Sequence, residues 1–203
     1  GEIVVGGRLG ILADEWDETG GLDVTKANEW LAQQPLPLHM LGRITAAKLY
    51  GGLEVETVLD PNAQPFLYDH AMEGTPLLPG VIGTEAFGQL AKALAPGYQV
   101  AAVFDEQFHA PFKFYRMENQ TLYLNAIATP VATPLGDNEL VVRASLRSMR
   151  DLGKPGLPPQ EKLHFTGKVR MTQQLPQPVI DFTPPAANEL PIPHPNLQAP
   201  HPV

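Results

Sequence analysis

The sequence contains no cysteine. That absence excludes disulfides, thiolate nucleophiles and cysteine-ligated zinc, and it suits a reducing, cytoplasmic setting. No apolar run approaches the roughly 20 residues needed to cross a bilayer, so no membrane partner is expected. The first residues, Gly1 to Leu12, lack the basic region and the small-residue cleavage site of a secretory signal. Positive charge is also scarce: 14 Lys and Arg stand against 22 Asp and Glu, a formal net charge of −8. Nucleic acid is disfavoured as a partner, because neutralising phosphates needs a basic face. His39, His109 and His164 have no metal-ligand spacing among them, and no metal site is expected.

Three zones separate by composition. Residues 1–36 read as a lead-in segment or linker, with a short strand at Ile3–Val5, the acidic run Asp14, Glu15, Asp17 and Glu18, and a short helical stretch near Val24–Gln33. Residues 37–172 carry nearly all the periodic pattern. Residues 173–203 hold nine of the 22 prolines and few large apolar side chains, the composition of an extended linker or tail.

The middle zone has a readable order. Ile44–Tyr50 and Leu53–Leu59 flank Gly51-Gly52, a hairpin signal. In the second run Leu53, Val55, Thr57 and Leu59 alternate with Glu54, Glu56 and Val58. A proline-bearing loop leads to His70. Helical spacing follows from Val81 to Leu94, predicting a helix with Val81, Ile82, Ala86, Leu90 and Leu94 turned to the core, ended by Pro96-Gly97. Four strands are then expected: Tyr98–Phe108, Thr121–Ala128, Glu139–Arg150 and Lys162–Met171. A hydrophobic fraction of 43% is enough for a packed core. The pattern implies an α+β domain in which one long helix is wrapped by a curved antiparallel sheet.

The loop before the helix carries the chemistry: Phe66-Leu67-Tyr68-Asp69-His70-Ala71-Met72-Glu73-Gly74-Thr75-Pro76-Leu77-Leu78-Pro79-Gly80, which contains His-x-x-x-Gly-x-x-x-x-Pro. Here the chain resembles the dehydratase domains of type I polyketide synthases and polyunsaturated fatty-acid synthases. More distantly it resembles the stand-alone 3-hydroxyacyl-carrier-protein dehydratases. The likeness continues through Pro79-Gly80-Val81-Ile82-Gly83-Thr84-Glu85-Ala86 and Phe108-His109-Ala110-Pro111-Phe112-Lys113-Phe114, and spans roughly residues 38 to 172. It implies a hot-dog fold and removal of water from β-hydroxyacyl thioesters.

Such a reaction needs a base at Cα and an acid at the β-hydroxyl, roles that histidine and a carboxyl group can fill. Charge that builds on the thioester oxygen can be held by backbone N–H groups at a helix N-terminus. The resemblance implies that His70 is the base, facing a tunnel for the acyl-phosphopantetheine arm. Gly74 would allow the tight loop that aims it, and Pro79 and Gly80 would open the helix beside the substrate carbonyl. Glu85 matches the position of the acid in the stand-alone enzymes. In the double hot-dog polyketide dehydratases an aspartate from a second hot-dog does that work, and both readings stay open. No cofactor is implied beyond the phosphopantetheine of an acyl carrier protein in the same polypeptide or assembly. Lys113 and Arg116 are the basic residues placed to touch that carrier. A second hot-dog module or a homodimer is the other expected partner. Gly6-Gly7-Arg8-Leu9-Gly10 lacks the flanks of a phosphate loop and reads as chance or as the tail of a preceding ketoreductase-type domain. The rival readings are a hot-dog thioesterase, a double-bond isomerase using the same base, and a catalytically inactive structural domain.

Overall fold

The computed structural model describes residues 23–34, 38–48, 52–67, 69–130, 139–150 and 156–175. The lead-in strand, the acidic run, the Gly51 end of the first hairpin and nearly all of the proline-rich segment lie outside the described residues.

The elements run α1 (Val24–Ala32), β1 (Arg43–Lys48), β2 (Gly52–Leu59), a short hairpin of β3 (Ala71–Met72) and β4 (Thr75–Pro76), α2 (Gly80–Leu94), β5 (Gln99–Phe108), β6 (Gln120–Pro130), β7 (Glu139–Arg150) and β8 (Gln160–Thr172). Six strands form one antiparallel sheet in the order β1-β2-β6-β7-β8-β5. α2 packs against β5, β6, β7 and β8. This is the expected hot-dog, one long helix wrapped by a single curved sheet.

Period-two burial explains the sheet. Leu53, Val55, Thr57 and Leu59 of β2 are all buried, as are Leu122, Leu124 and Ala126 of β6 and Val142, Ala144 and Leu146 of β7. The one polar member, Thr57, is satisfied: its hydroxyl donates to the Met40 carbonyl at 2.7 Å and accepts from the Gly42 N–H at 3.0 Å.

Close approach explains the helix. A Cβ on Gly83 would meet the Phe165 ring of β8 at 2.4 Å, and one on Gly167 of β8 would meet the Phe87 ring of α2 at 3.1 Å. Each glycine therefore makes room for a phenylalanine from the facing element. Ala86, Phe87, Leu90, Ala91 and Ala93 complete the buried face. Ile82 and Leu94 pack partly buried against it. Val81, expected in the core, is instead 74% exposed. The helix leans on the sheet through Gly83 and Phe87, and that rotation turns Val81 outward. The helix stops at Ala95, before Pro96 and a Gly97 at φ 84°.

The two edges of the sheet differ. α1, capped by the Asp23 side chain on the Lys26 N–H, lies on β1 and buries Ala27 in the common core. Its Asn28 amide accepts from Ile44 N–H and donates to Ile44 C=O, both at 2.9 Å. A side chain thus takes the place of a strand partner for that residue. The boundary at residue 37 divides the sequence by composition, and α1 packs across it. The opposite edge, β5, has β8 on one side and no strand on the other among the described residues.

His164 of β8 is a core histidine, 3% exposed, its ring centroid 4.8 Å from that of Phe112 with the two planes tilted by 57°. Its Nδ1 lies 3.2 Å from the Ala110 carbonyl and its Nε2 2.8 Å from the Ser148 hydroxyl. Burial pushes its pKa below the usual 6.5; the Ala110 carbonyl opposes this and Lys162 adds to it. A histidine depressed in the folded state is neutral in both states above the unfolded value and binds a proton more readily when unfolded below it. Stability should therefore fall as pH drops from about 6.5 toward the lowered folded value, and level off beneath it. Urea titrations at pH 8 and pH 5 should show a larger acid loss for the native chain than for His164→Asn. Equal losses would contradict this placement of the charge.

Candidate active site

The loop that carries His70 is anchored at both ends. Pro65–Leu67 forms a 3₁₀ turn with Leu67 fully buried. After His70 the chain makes the β3–β4 hairpin, pairing Ala71 with Pro76 and Met72 with Thr75. Its two-residue turn is Glu73-Gly74, at φ 51° and 76°. Two successive positive φ values are the requirement of a type I′ hairpin turn, which glycine meets without cost. A Cβ on Gly74 would meet nothing within 4 Å, so the need there is conformational.

The hairpin lies on the segment 111–114. Phe114 N–H donates to Pro76 C=O and Leu78 N–H to Phe112 C=O, each at 3.0 Å, and Leu77 bridges to Lys113. Phe112 and Phe114 sit buried beneath, ring centroids 5.4 Å apart. The two stretches that carry the sequence resemblance are thus one built unit.

His70 is exposed beside this hairpin. Leu77 N–H donates to His70 C=O at 2.9 Å, and His70 Nδ1 lies 2.9 Å from the Leu77 carbonyl. A carbonyl only accepts, so Nδ1 carries the proton and Nε2 of the neutral ring keeps its lone pair. Leu77 is three residues before Gly80, so the same backbone run aims the imidazole and leads into α2. Pro79 is the residue preceding the helix. Its carbonyl takes the Ile82 and Gly83 N–H groups, and no side chain caps the helix. Gly80 and Val81 N–H are left without an intrahelical acceptor, as any first helical turn leaves them. The space a Gly80 side chain would need is filled by the Phe108 ring, at 2.9 Å. Gly80 is therefore held close by packing against Phe108.

Glu85 is exposed on α2 and accepts from Gln89 Nε2 at 2.8 Å. The Met40 N–H donates to Gln89 Oε1 at 2.8 Å, which fixes which way the amide faces. No hydrogen bond joins Glu85 to His70. Gln89 was not singled out from the sequence, although a residue four after a carboxylate on a helix is its natural neighbour. Glu106 was missed as well. It sits at a bulge in β5, and its Oε1 accepts from the Thr84 hydroxyl of α2 at 2.6 Å.

The remaining singled-out residues lie elsewhere. His39 is exposed, and His109 Nε2 meets the Thr166 hydroxyl at 2.9 Å. Lys113 is half-buried beside Leu77. Arg116 is exposed, 3.9 Å from Glu118. Among the described residues no three His, Cys, Asp or Glu side chains gather to hold a metal ion, and no helix is long and apolar enough to cross a membrane. Cavities of about 470, 160 and 300 Å³ are present, and His70 lines none of them.

No family model matches the chain, and no curated protein matches it. Solved structures do. The dehydratase domain from the CurF module of curacin polyketide synthase aligns at 20% identity over 66% of this chain and 43% of its own, with a TM-score of 0.51. The dehydratase domain of RzxB from Pseudomonas fluorescens aligns at 19% identity over 72% of this chain and 48% of its own, with a TM-score of 0.50. The fold is that of polyketide-synthase dehydratase domains. The chain spans less than half the length of those two dehydratase domains. A hexameric broad specificity acyl-coenzyme A thioesterase also matches, at 11% identity and a TM-score of 0.42, over 60% of this chain and 78% of that one.

Gly74→Ala should destabilise the fold by about 1 kcal/mol, because alanine is strained at positive φ. Gly74→Asn should cost less, since asparagine tolerates that region. Urea midpoints of the two variants check the order; equal stability of Gly74→Ala and the native chain would contradict the hairpin turn.

Proposed function

We propose that the chain is the histidine-bearing half of a dehydratase that converts β-hydroxyacyl thioesters, carried on an acyl carrier protein in a polyketide or fatty-acid synthase, to enoyl thioesters. The observation that carries this reading is the His70–Leu77 contact: Nδ1–H held by a backbone carbonyl and Nε2 left as a base, just ahead of an uncapped helix N-terminus. The fold likeness to polyketide-synthase dehydratase domains supports it.

Nε2 of His70 takes the proton from Cα. The C–H electron pair moves toward the thioester carbonyl, whose oxygen gains charge that the Gly80 and Val81 N–H groups can accept. The β-hydroxyl then leaves as water with a proton from a carboxyl group. Glu85, oriented by Gln89, is one source. The other is a carboxylate on a second hot-dog. The β5 edge, which has no outer strand among the described residues and exposes Phe104 and Phe108, favours a unit of two hot-dogs, formed with a second module or with another copy of this chain. The exposure of His70 fits the same account, because a second hot-dog across that edge would enclose the acyl-phosphopantetheine arm. Tethering of the carrier in one assembly makes weak docking sufficient, and Lys113, bridged to Leu77, and Arg116, on a turn that touches β4, are basic side chains beside the hairpin.

The test is a product assay with a 3-hydroxyacyl pantetheine thioester. The native chain should yield enoyl thioester, and His70→Ala should reduce turnover by about 10²–10⁴-fold while leaving the fold intact. Free acid as the product would favour a thioesterase, and undiminished dehydration by His70→Ala would remove the base. Glu85→Gln separates the two acids: loss of activity both in the isolated chain and beside a second module makes Glu85 the donor, and loss in neither makes it structural.

A further inference from the structure

Glu106 breaks a local rule. It is a carboxylate at the inner side of the sheet, against the apolar neighbourhood of Phe87 and Gly167. A Cβ on Gly167 would lie 3.3 Å from Glu106 Cγ and 3.1 Å from the Phe87 ring. A bulge puts it there. Phe104 pairs with Lys168 and Gln107 with Thr166, so β5 spends three steps where β8 spends two. Asp105, at the bulge, has φ 51°, which is uncommon for a residue other than glycine. Its carboxylate is held on the outer side by Lys168 Nζ at 2.8 Å. Bulges of this kind re-aim side chains, and strain retained in a native structure points to use.

The re-aimed side chains meet α2 in register. Glu106 and Phe108, two apart on a strand, are about 7 Å apart. Gly80 and Thr84, four apart on a helix, are about 6 Å apart. Phe108 lies on Gly80, and Glu106 accepts from the Thr84 hydroxyl at 2.6 Å. The same hydroxyl is 3.3 Å from the Gly80 carbonyl. A hydroxyl has one proton, and the shorter, charge-assisted contact takes it.

We infer that Glu106 is a positioning residue, locking the first turn of α2 against β5 through Thr84 and so fixing where the Gly80 and Val81 N–H groups point. Its effect on turnover rests on the dehydratase reading; its effect on the helix does not. The lock is a hydrogen bond, so it needs an acceptor at 106 and a hydroxyl at 84, and it does not need the charge.

The test compares Glu106→Leu and Thr84→Val, which remove the bond, with Glu106→Gln and Thr84→Ser, which keep it, all in the full chain. Hydrogen exchange at the Ile82, Gly83 and Thr84 amides should rise by about tenfold in each of the first pair, with no further rise in the double variant. The conservative pair should restore slow exchange. With a 3-hydroxyacyl thioester, the first pair should lower kcat by a similar factor with little change in KM, and Glu106→Gln should recover most of it. Unchanged exchange in Glu106→Leu and Thr84→Val overturns the inference. So does a kcat loss in Glu106→Gln as large as in Glu106→Leu, which would make the carboxyl itself chemical. A native chain that forms no enoyl product refutes the dehydratase reading alone, and the exchange data still decide the lock.

Discussion

Glycine facing phenylalanine across the gap between α2 and the sheet is the constraint on which the rest of the molecule depends. Gly83 admits Phe165, Gly167 admits Phe87 and Gly80 admits Phe108, so the exchange runs in both directions, helix to strand and strand to helix. Phe108 and Phe165 also meet edge to face, centroids 5.0 Å apart, which joins two of the three contacts into one cluster. Phe87 and Phe165 are buried, so their two contacts do not absorb even one extra methyl group cheaply, while Phe108 is exposed at the edge of the cluster. The depth of the helix in the sheet is therefore set by packing between glycine and phenylalanine.

The polar part of the molecule is arranged around that packed first turn. On one side the β3–β4 hairpin brings His70 to a backbone carbonyl three residues before the helix begins. On another, the bulged end of β5 reaches Thr84. Farther along, Met40 and Gln89 orient Glu85. Two of these contacts attach to the helix and one to the segment leading into it, and each uses a backbone group or a short side chain, which keeps the geometry tight. The sheet edges complete the picture. At the β1 edge, Asn28 of α1 pairs with the backbone of Ile44. β5, the strand that touches the site, has no strand on its outer side among the described residues.

Much of the scaffold was legible in the sequence because it is periodic. Leu53, Val55, Thr57 and Leu59 alternate without interruption, and the four later strands and α2 fall within two residues of their expected ends. What was lost was lost to interruptions of the period. β3 and β4 are each two residues long, too short for any alternation. The β5 bulge shifts the register by one residue, so Glu106 reads as an outward residue in sequence and is an inward one in space. Val81 has the right helical spacing, but the helix presents its glycine-lined side to the sheet. His70, Gly74, Pro79 and Gly80 were singled out through a motif, and the structure gives that motif local physical content: a turn that needs positive φ, a carbonyl that sets a tautomer, and a helix start against a ring. Glu85 was singled out the same way, and Gln89, which donates to it, follows from helical neighbourhood alone.

The central claim, that His70 moves the proton at Cα of an acyl thioester, is tested most directly by running the reaction backwards in deuterium oxide. With an enoyl pantetheine thioester the native chain should form the 3-hydroxyacyl product with a single deuterium at Cα on one face, and His70→Ala should abolish this incorporation. Deuterium delivered with the same face selectivity and rate by His70→Ala, or cleavage of the thioester in place of hydration, would contradict the account.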